Sequence, residues 1–88
     1  MLVRFTLDFD ALNFVERFEE TKDDEWYTDE ERSLFKVLNS LKGVTKEISS
    51  LEELRDIILS IEECEYEMIY SIYLDDRDNS FVVEIDLA

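Results

Sequence analysis

Eighty-eight residues with 24 Asp or Glu against 9 Lys or Arg carry a formal charge of −15, and 45% of them are hydrophobic. That apolar share, with 12% aromatics, suffices for a core and argues against disorder. The charge excludes nucleic acid and anionic membranes as direct partners, because phosphates and lipid headgroups need clustered Lys and Arg, and the nine here are scattered.

The length corresponds to one domain, residues 1–88, with a small core and a thin stability margin. So large a negative charge aids solubility and destabilises the folded state through self-repulsion. Cys64 is the only cysteine, so no internal disulfide can form, which suits a reducing cytoplasm. No run of about 18 apolar residues and no signal-peptide pattern is present.

Val3, Phe5, Leu7 and Phe9 alternate with Arg4, Thr6 and Asp8, which predicts a half-buried strand. Asp10 is placed to cap a first helix, in which Ala11, Phe14, Val15 and Phe18 form one face and the stripe fades near Glu20. Thr28-Asp29-Glu30-Glu31 is a capping box that starts a second helix, buried through Leu34, Phe35, Leu38 and Leu41. Gly43, the only glycine, stands where a left-handed residue ends such a helix. Val44 to Ser49 reads as a connection with a short extended piece. Ser50-Leu51-Glu52-Glu53 is a second capping box, and Leu51, Leu54, Ile57, Ile58 and Ile61 supply the apolar face of a third helix ending at Glu62 or Glu63.

Tyr66, Met68, Tyr70, Ile72 and Leu74 alternate, as do Phe81, Val83, Ile85 and Leu87, around the turn-forming stretch Asp75 to Asn79. The pair predicts a hairpin, which the first strand should join. The expected fold is α+β: a three-stranded antiparallel or mixed sheet with three helices on one face, in the order β-α-α-α-β-β. The other face would show Arg4, Thr6, Asp8, Ile69, Ser71, Tyr73, Val82, Glu84 and Asp86.

Little here points to catalysis. There is no histidine, and no carboxylate pair is marked out among so many. Cys64 sits between Glu62, Glu63 and Glu65, whose charges raise a thiol's pKa, so it reads as a small buried residue. One glycine allows no phosphate-binding loop. Asp76, Asp78 and Ser80 echo a calcium loop, but Phe81 and Leu87 stand where glycine and glutamate belong. The expectation is a non-enzyme with no cofactor and no metal.

The carboxylates carry the functional reading. Glu19 to Glu31 hold one group, Glu52 to Glu67 a second, and Asp75, Asp76 and Asp78 a third. Duplex DNA presents one negative charge per about 1.7 Å of its axis, and carboxylates on helix turns and strand edges approximate that density. The first group also contains aromatic residues, which are enriched at binding hot spots. The candidate partner-binding residues are therefore Asp23, Asp24, Glu25, Trp26, Tyr27, Asp29, Glu30 and Glu31. Against this, a small domain often buries its sole tryptophan, and Tyr27 could pack on the helix it precedes.

Small size, strong acidity, absence of histidine and a simple α+β pattern make the chain resemble phage-encoded acidic inhibitors that mimic nucleic acid, of the anti-CRISPR and anti-restriction type. The resemblance covers composition and includes no motif. It implies an inhibitor that works in the bacterial host cytoplasm by occupying the basic nucleic-acid site of a defence nuclease. An immunity or antitoxin protein that neutralises a basic toxin nuclease is the alternative. A structural or regulatory subunit, acidic only for solubility, is a third reading.

Overall fold

The computed structural model describes residues 1–21, 27–63 and 66–88. Along the chain run β1 (Leu2–Leu7), α1 (Phe9–Glu20), α2 (Asp29–Leu41), β2 (Thr45–Glu47), α3 (Leu51–Glu62), β3 (Met68–Asp75) and β4 (Ser80–Leu87). The fold is α+β with three helices. The sheet has four strands rather than three, in the order β2-β1-β4-β3. The added strand is the Thr45–Glu47 piece of the expected connection, so the element order is β-α-α-β-α-β-β.

The two central strands are parallel, with Val3 beside Phe81, Phe5 beside Val83 and Leu7 beside Ile85. Both outer pairings, β1 with β2 and β3 with β4, are antiparallel. This register aligns Val3, Phe5, Val83 and Ile85 on one face. They pack there with Ala11 and Val15 of α1, Leu34, Leu38 and Leu41 of α2, and Leu54 and Ile61 of α3. Ile48, just past β2, is fully buried in the same cluster and is tied to Met1, whose carbonyl accepts from its N–H at 2.7 Å.

Several residues read as apolar contacts lie outside this core, among them Ile72, Leu74 and Phe81 of the hairpin and the two most exposed, Phe9 and Leu51. Phe9 is 72% exposed and Leu51 is 73% exposed. Each is the first residue of a helix, where the side chain projects before the helix meets the sheet.

The start of α1 also differs from expectation. Asp8, not Asp10, is the N-cap, and its carboxylate accepts from Phe9 N–H at 2.8 Å. The Asp8 N–H donates to the Ile85 carbonyl, and β1 ends at Leu7, two residues earlier than the alternation through Phe9 suggests. The next two amides, of Asp10 and Ala11, donate to Asp86 Oδ1 at 3.1 and 3.0 Å. The free amides of the first helical turn are thus satisfied by a carboxylate from the last strand.

Helix α2 is built as its sequence implies. Thr28 Oγ1 accepts from Glu31 N–H and Glu31 Oε1 accepts from Thr28 N–H, at 3.1 and 3.0 Å. Gly43 has φ +66°, past the C-cap Lys42. A Cβ added there would meet nothing within 4 Å, so the cost of Gly43→Ala is purely that of backbone conformation. We expect it to lower stability by about 1 kcal/mol in a denaturant titration. The box at α3 is only half formed. Ser50 Oγ accepts from Glu53 N–H, but the Glu53 carboxylate turns to Ser49, accepting from its N–H and hydroxyl at 2.9 Å. Those two bonds hold the Glu53 carboxyl below its usual pKa.

Candidate interaction surface

The end of α1 meets the start of α2 through aromatic rings. Phe18 stacks on Phe35 at 4.2 Å between centroids and touches the Tyr27 ring at 4.5 Å. Phe14, one turn earlier on α1, lies 6.1 Å from Phe18. Thr21 closes α1: its N–H and hydroxyl both donate to the Arg17 carbonyl, and its Oγ1 lies 2.8 Å from the Tyr27 hydroxyl. Tyr27 is half-buried and fixed against α1 through its ring and its hydroxyl. Behind it, Asp10, Asn13, Phe14, Arg17, Tyr27 and Glu31 line a cleft of about 250 Å³.

Of the candidate partner-binding residues, Tyr27, Asp29, Glu30 and Glu31 share this corner, while Asp23, Asp24, Glu25 and Trp26 lie outside the described residues, as do Cys64 and Glu65. The described four differ in role. Glu31 is half-buried and its carboxylate is committed to the capping box. Asp29 is exposed and pairs with Arg32 at 3.2 Å. Glu30 is exposed and has no ion pair among the described residues. Glu19 and Glu20 join them from the last turn of α1, where the helix dipole disfavours carboxylates. The sequence contained a signal for the aromatic anchor, since Phe14 and Phe18 stand four apart on one helical face.

The hairpin carboxylates behave differently. Arg4, on β1 beside Val82, reaches across the open face of β4 to Asp75 on β3, with Nη2 2.8 Å from Oδ2. Val82, the register neighbour of Arg4, is buried even though it faces away from the helices. Tyr73 flanks Val82 from the other side and donates its hydroxyl to Glu84 at 2.7 Å, which raises the Tyr73 pKa.

Arg77 also binds Asp75, through Nε, Nη2 and its backbone N–H at 3.0–3.1 Å. With its side chain only 9% exposed, Asp75 is held well below the usual carboxylate range, first by the Arg77 guanidinium and amide and then by Arg4. Asp78 accepts from the Ser80 hydroxyl at 2.6 Å and lies 3.5 Å from Arg4, and its pKa is lowered chiefly by that Ser80 bond. Two arginines thus neutralise two of the three hairpin carboxylates, leaving Asp76.

A folded-state pKa depressed in this way stabilises the protein fully above the unfolded value of about 4 and loses that contribution as the pH falls below it. We expect the stability deficit of Asp75→Asn, measured by thermal melting at pH 7, to shrink steadily between about pH 4 and pH 2. An unchanged deficit at pH 2 would mean that the charge of Asp75 contributes nothing.

Each resolved carboxylate shift runs downward, and the tyrosine and arginine shifts run upward. Among the described residues, no three His, Cys, Asp or Glu side chains converge as metal ligands, and no helix is long and apolar enough to cross a membrane. No protein-family model matches the chain, and neither the curated proteins nor the solved structures contain a significant match.

Proposed function

We propose that the protein is a non-enzymatic acidic inhibitor that binds the basic nucleic-acid site of a bacterial defence nuclease, as a nucleic-acid mimic of the anti-CRISPR or anti-restriction type. The observation that carries this reading is the uneven compensation of charge. The hairpin carboxylates are tied to Arg4 and Arg77. By contrast Glu19, Glu20 and Glu30 at the α1–α2 corner, and Glu52, Glu62 and Glu63 of α3 and its end, are exposed with no ion pair among the described residues. Several stand at helix C-termini, where they oppose the dipole. A scaffold acidic only for solubility has no reason to keep charge where it weakens its own helices.

The test is capture from bacterial lysate over a salt series, with nucleic acid as competitor. A nuclease should be retained near 0.15 M salt, released as salt rises through about 0.5 M, and displaced by added duplex or single strand. The protein alone should not shift a duplex in a gel. Retention that ignores both salt and nucleic acid would refute mimicry.

A further inference from the structure

Strand β3 is an edge of the sheet, since only β4 pairs with it. Edges are ordinarily blunted by lysine, proline, an inward charge or a bulge. This one has no lysine, proline or bulge, and its one charge, Asp75 at the hairpin end, is tied to Arg4 and Arg77. Its first seven residues, Met68 to Leu74, are uncharged, and its pairing with β4 runs unbroken from Met68 beside Leu87 to Asp75 beside Ser80.

Both faces next to this edge are apolar and open. Ile72 and Leu74 lie on the helix side, and Ile69 and Tyr73 on the other, and all four are between 46% and 55% exposed. Phe81, beside Leu74, extends the helix-side patch. A contiguous apolar strip along an unpaired edge marks a binding surface.

Carboxylates bracket the strip. At its start, Glu67 and Glu62 stand in a cleft of about 540 Å³ that Tyr66, Met68 and Ile69 also line. At its far end stands Asp76, the uncompensated charge of the hairpin.

We propose that β3 accepts an extended segment of a partner protein as a fifth strand, apolar at alternate positions and basic at both ends. Main-chain hydrogen bonds hold such a strand, its apolar side chains extend the helix-side patch of Ile72, Leu74 and Phe81, and the intervening side chains lie over Ile69 and Tyr73. Glu62 and Glu67 meet its basic residues at one end and Asp76 at the other. A second copy of the chain fits poorly. Two molecules of charge −15 each repel one another. This surface is separate from the α1–α2 corner, and the proposal stands whether or not the partner is a nuclease.

The probe is a peptide of seven alternating valines and threonines with two lysines at each end. Its comparators carry glutamates in place of the lysines, or N-methyl groups on two adjacent central residues, which block both edges of the strand. The lysine peptide should bind, slow amide exchange along Met68–Leu74 and leave Thr45–Glu47 unchanged. The glutamate peptide should not bind, and N-methylation should weaken binding about tenfold or more, through lost main-chain hydrogen bonds. Ile69→Thr with Ile72→Thr, both at exposed positions, should weaken it with the melting curve little changed. The proposal is overturned by equal binding of the N-methylated peptide, by protection elsewhere than β3, or by no binding up to about 1 mM. Concentration-dependent dimerisation that protects β3 without peptide overturns it in favour of a second copy.

Discussion

Phe18→Ala should cost about 3–5 kcal/mol of folding stability, a large part of what a domain of this size has. Phe18 is 6% exposed and its ring touches Phe14, Tyr27 and Phe35, so truncation opens a cavity between α1 and α2. The variant also removes the surface on which Tyr27 rests. Tyr27→Phe, which keeps the ring and deletes only the hydroxyl that meets Thr21, should cost no more than about 1 kcal/mol. Chemical denaturation of the two variants separates ring packing from the hydrogen bond. Equal losses would mean that the aromatic stack does not join the helices.

The second large effect is expected on association. Asp23→Lys with Asp24→Lys changes the charge beside the aromatic pair and, by sequence, lies outside both helices. Against a captured nuclease, this variant should bind roughly tenfold more slowly at low ionic strength, with dissociation less affected and the difference narrowing as salt rises. The hairpin shows which control is sound. Reversing Asp75 would break its bonds with Arg4 and Arg77, and so confuse folding with binding. Glu16→Lys with Glu47→Lys makes the same change in net charge at two exposed positions outside both proposed surfaces, and among the described residues it gives up only the surface pair of Glu47 with the Met1 ammonium. Stopped-flow association rates decide between the possibilities. If both double variants slow binding alike, only total charge matters and the Trp26 region is not the site.

The same comparison weakens one of the three acidic groups as a nucleic-acid mimic. In sequence, Asp75, Asp76 and Asp78 look as available as any other carboxylates. In the fold, two of them are already bound to arginines, one of which comes from the opposite end of the chain. Asp76 apart, the carboxylates left for the proposed mimicry are those of the α1–α2 corner and of α3.

What the sequence determined by itself was local. The box from Thr28 to Glu31 and the left-handed Gly43 bound α2 because capping and positive φ depend on residues within one helical turn. Alternation located β1, β3 and β4 because side chains of a strand face opposite sides in turn. The acidic, aromatic corner was legible as composition around Tyr27, Asp29 and Glu30. Only the tertiary structure decided the features that join distant segments. The extended piece expected between Val44 and Ser49 became a strand of the sheet, Thr45–Glu47, because β1 offered an edge. Asp8 rather than Asp10 caps α1 because Ile85 and Asp86, at least 75 residues away, take up the neighbouring amides. Arg4 neutralises Asp75 across 71 residues because parallel pairing of β1 with β4 sets them on the same open face. Tyr27 turned inward because Phe18 and Thr21 fix both its ring and its hydroxyl. No local pattern encodes such meetings, because they depend on which strands become neighbours once the core has closed.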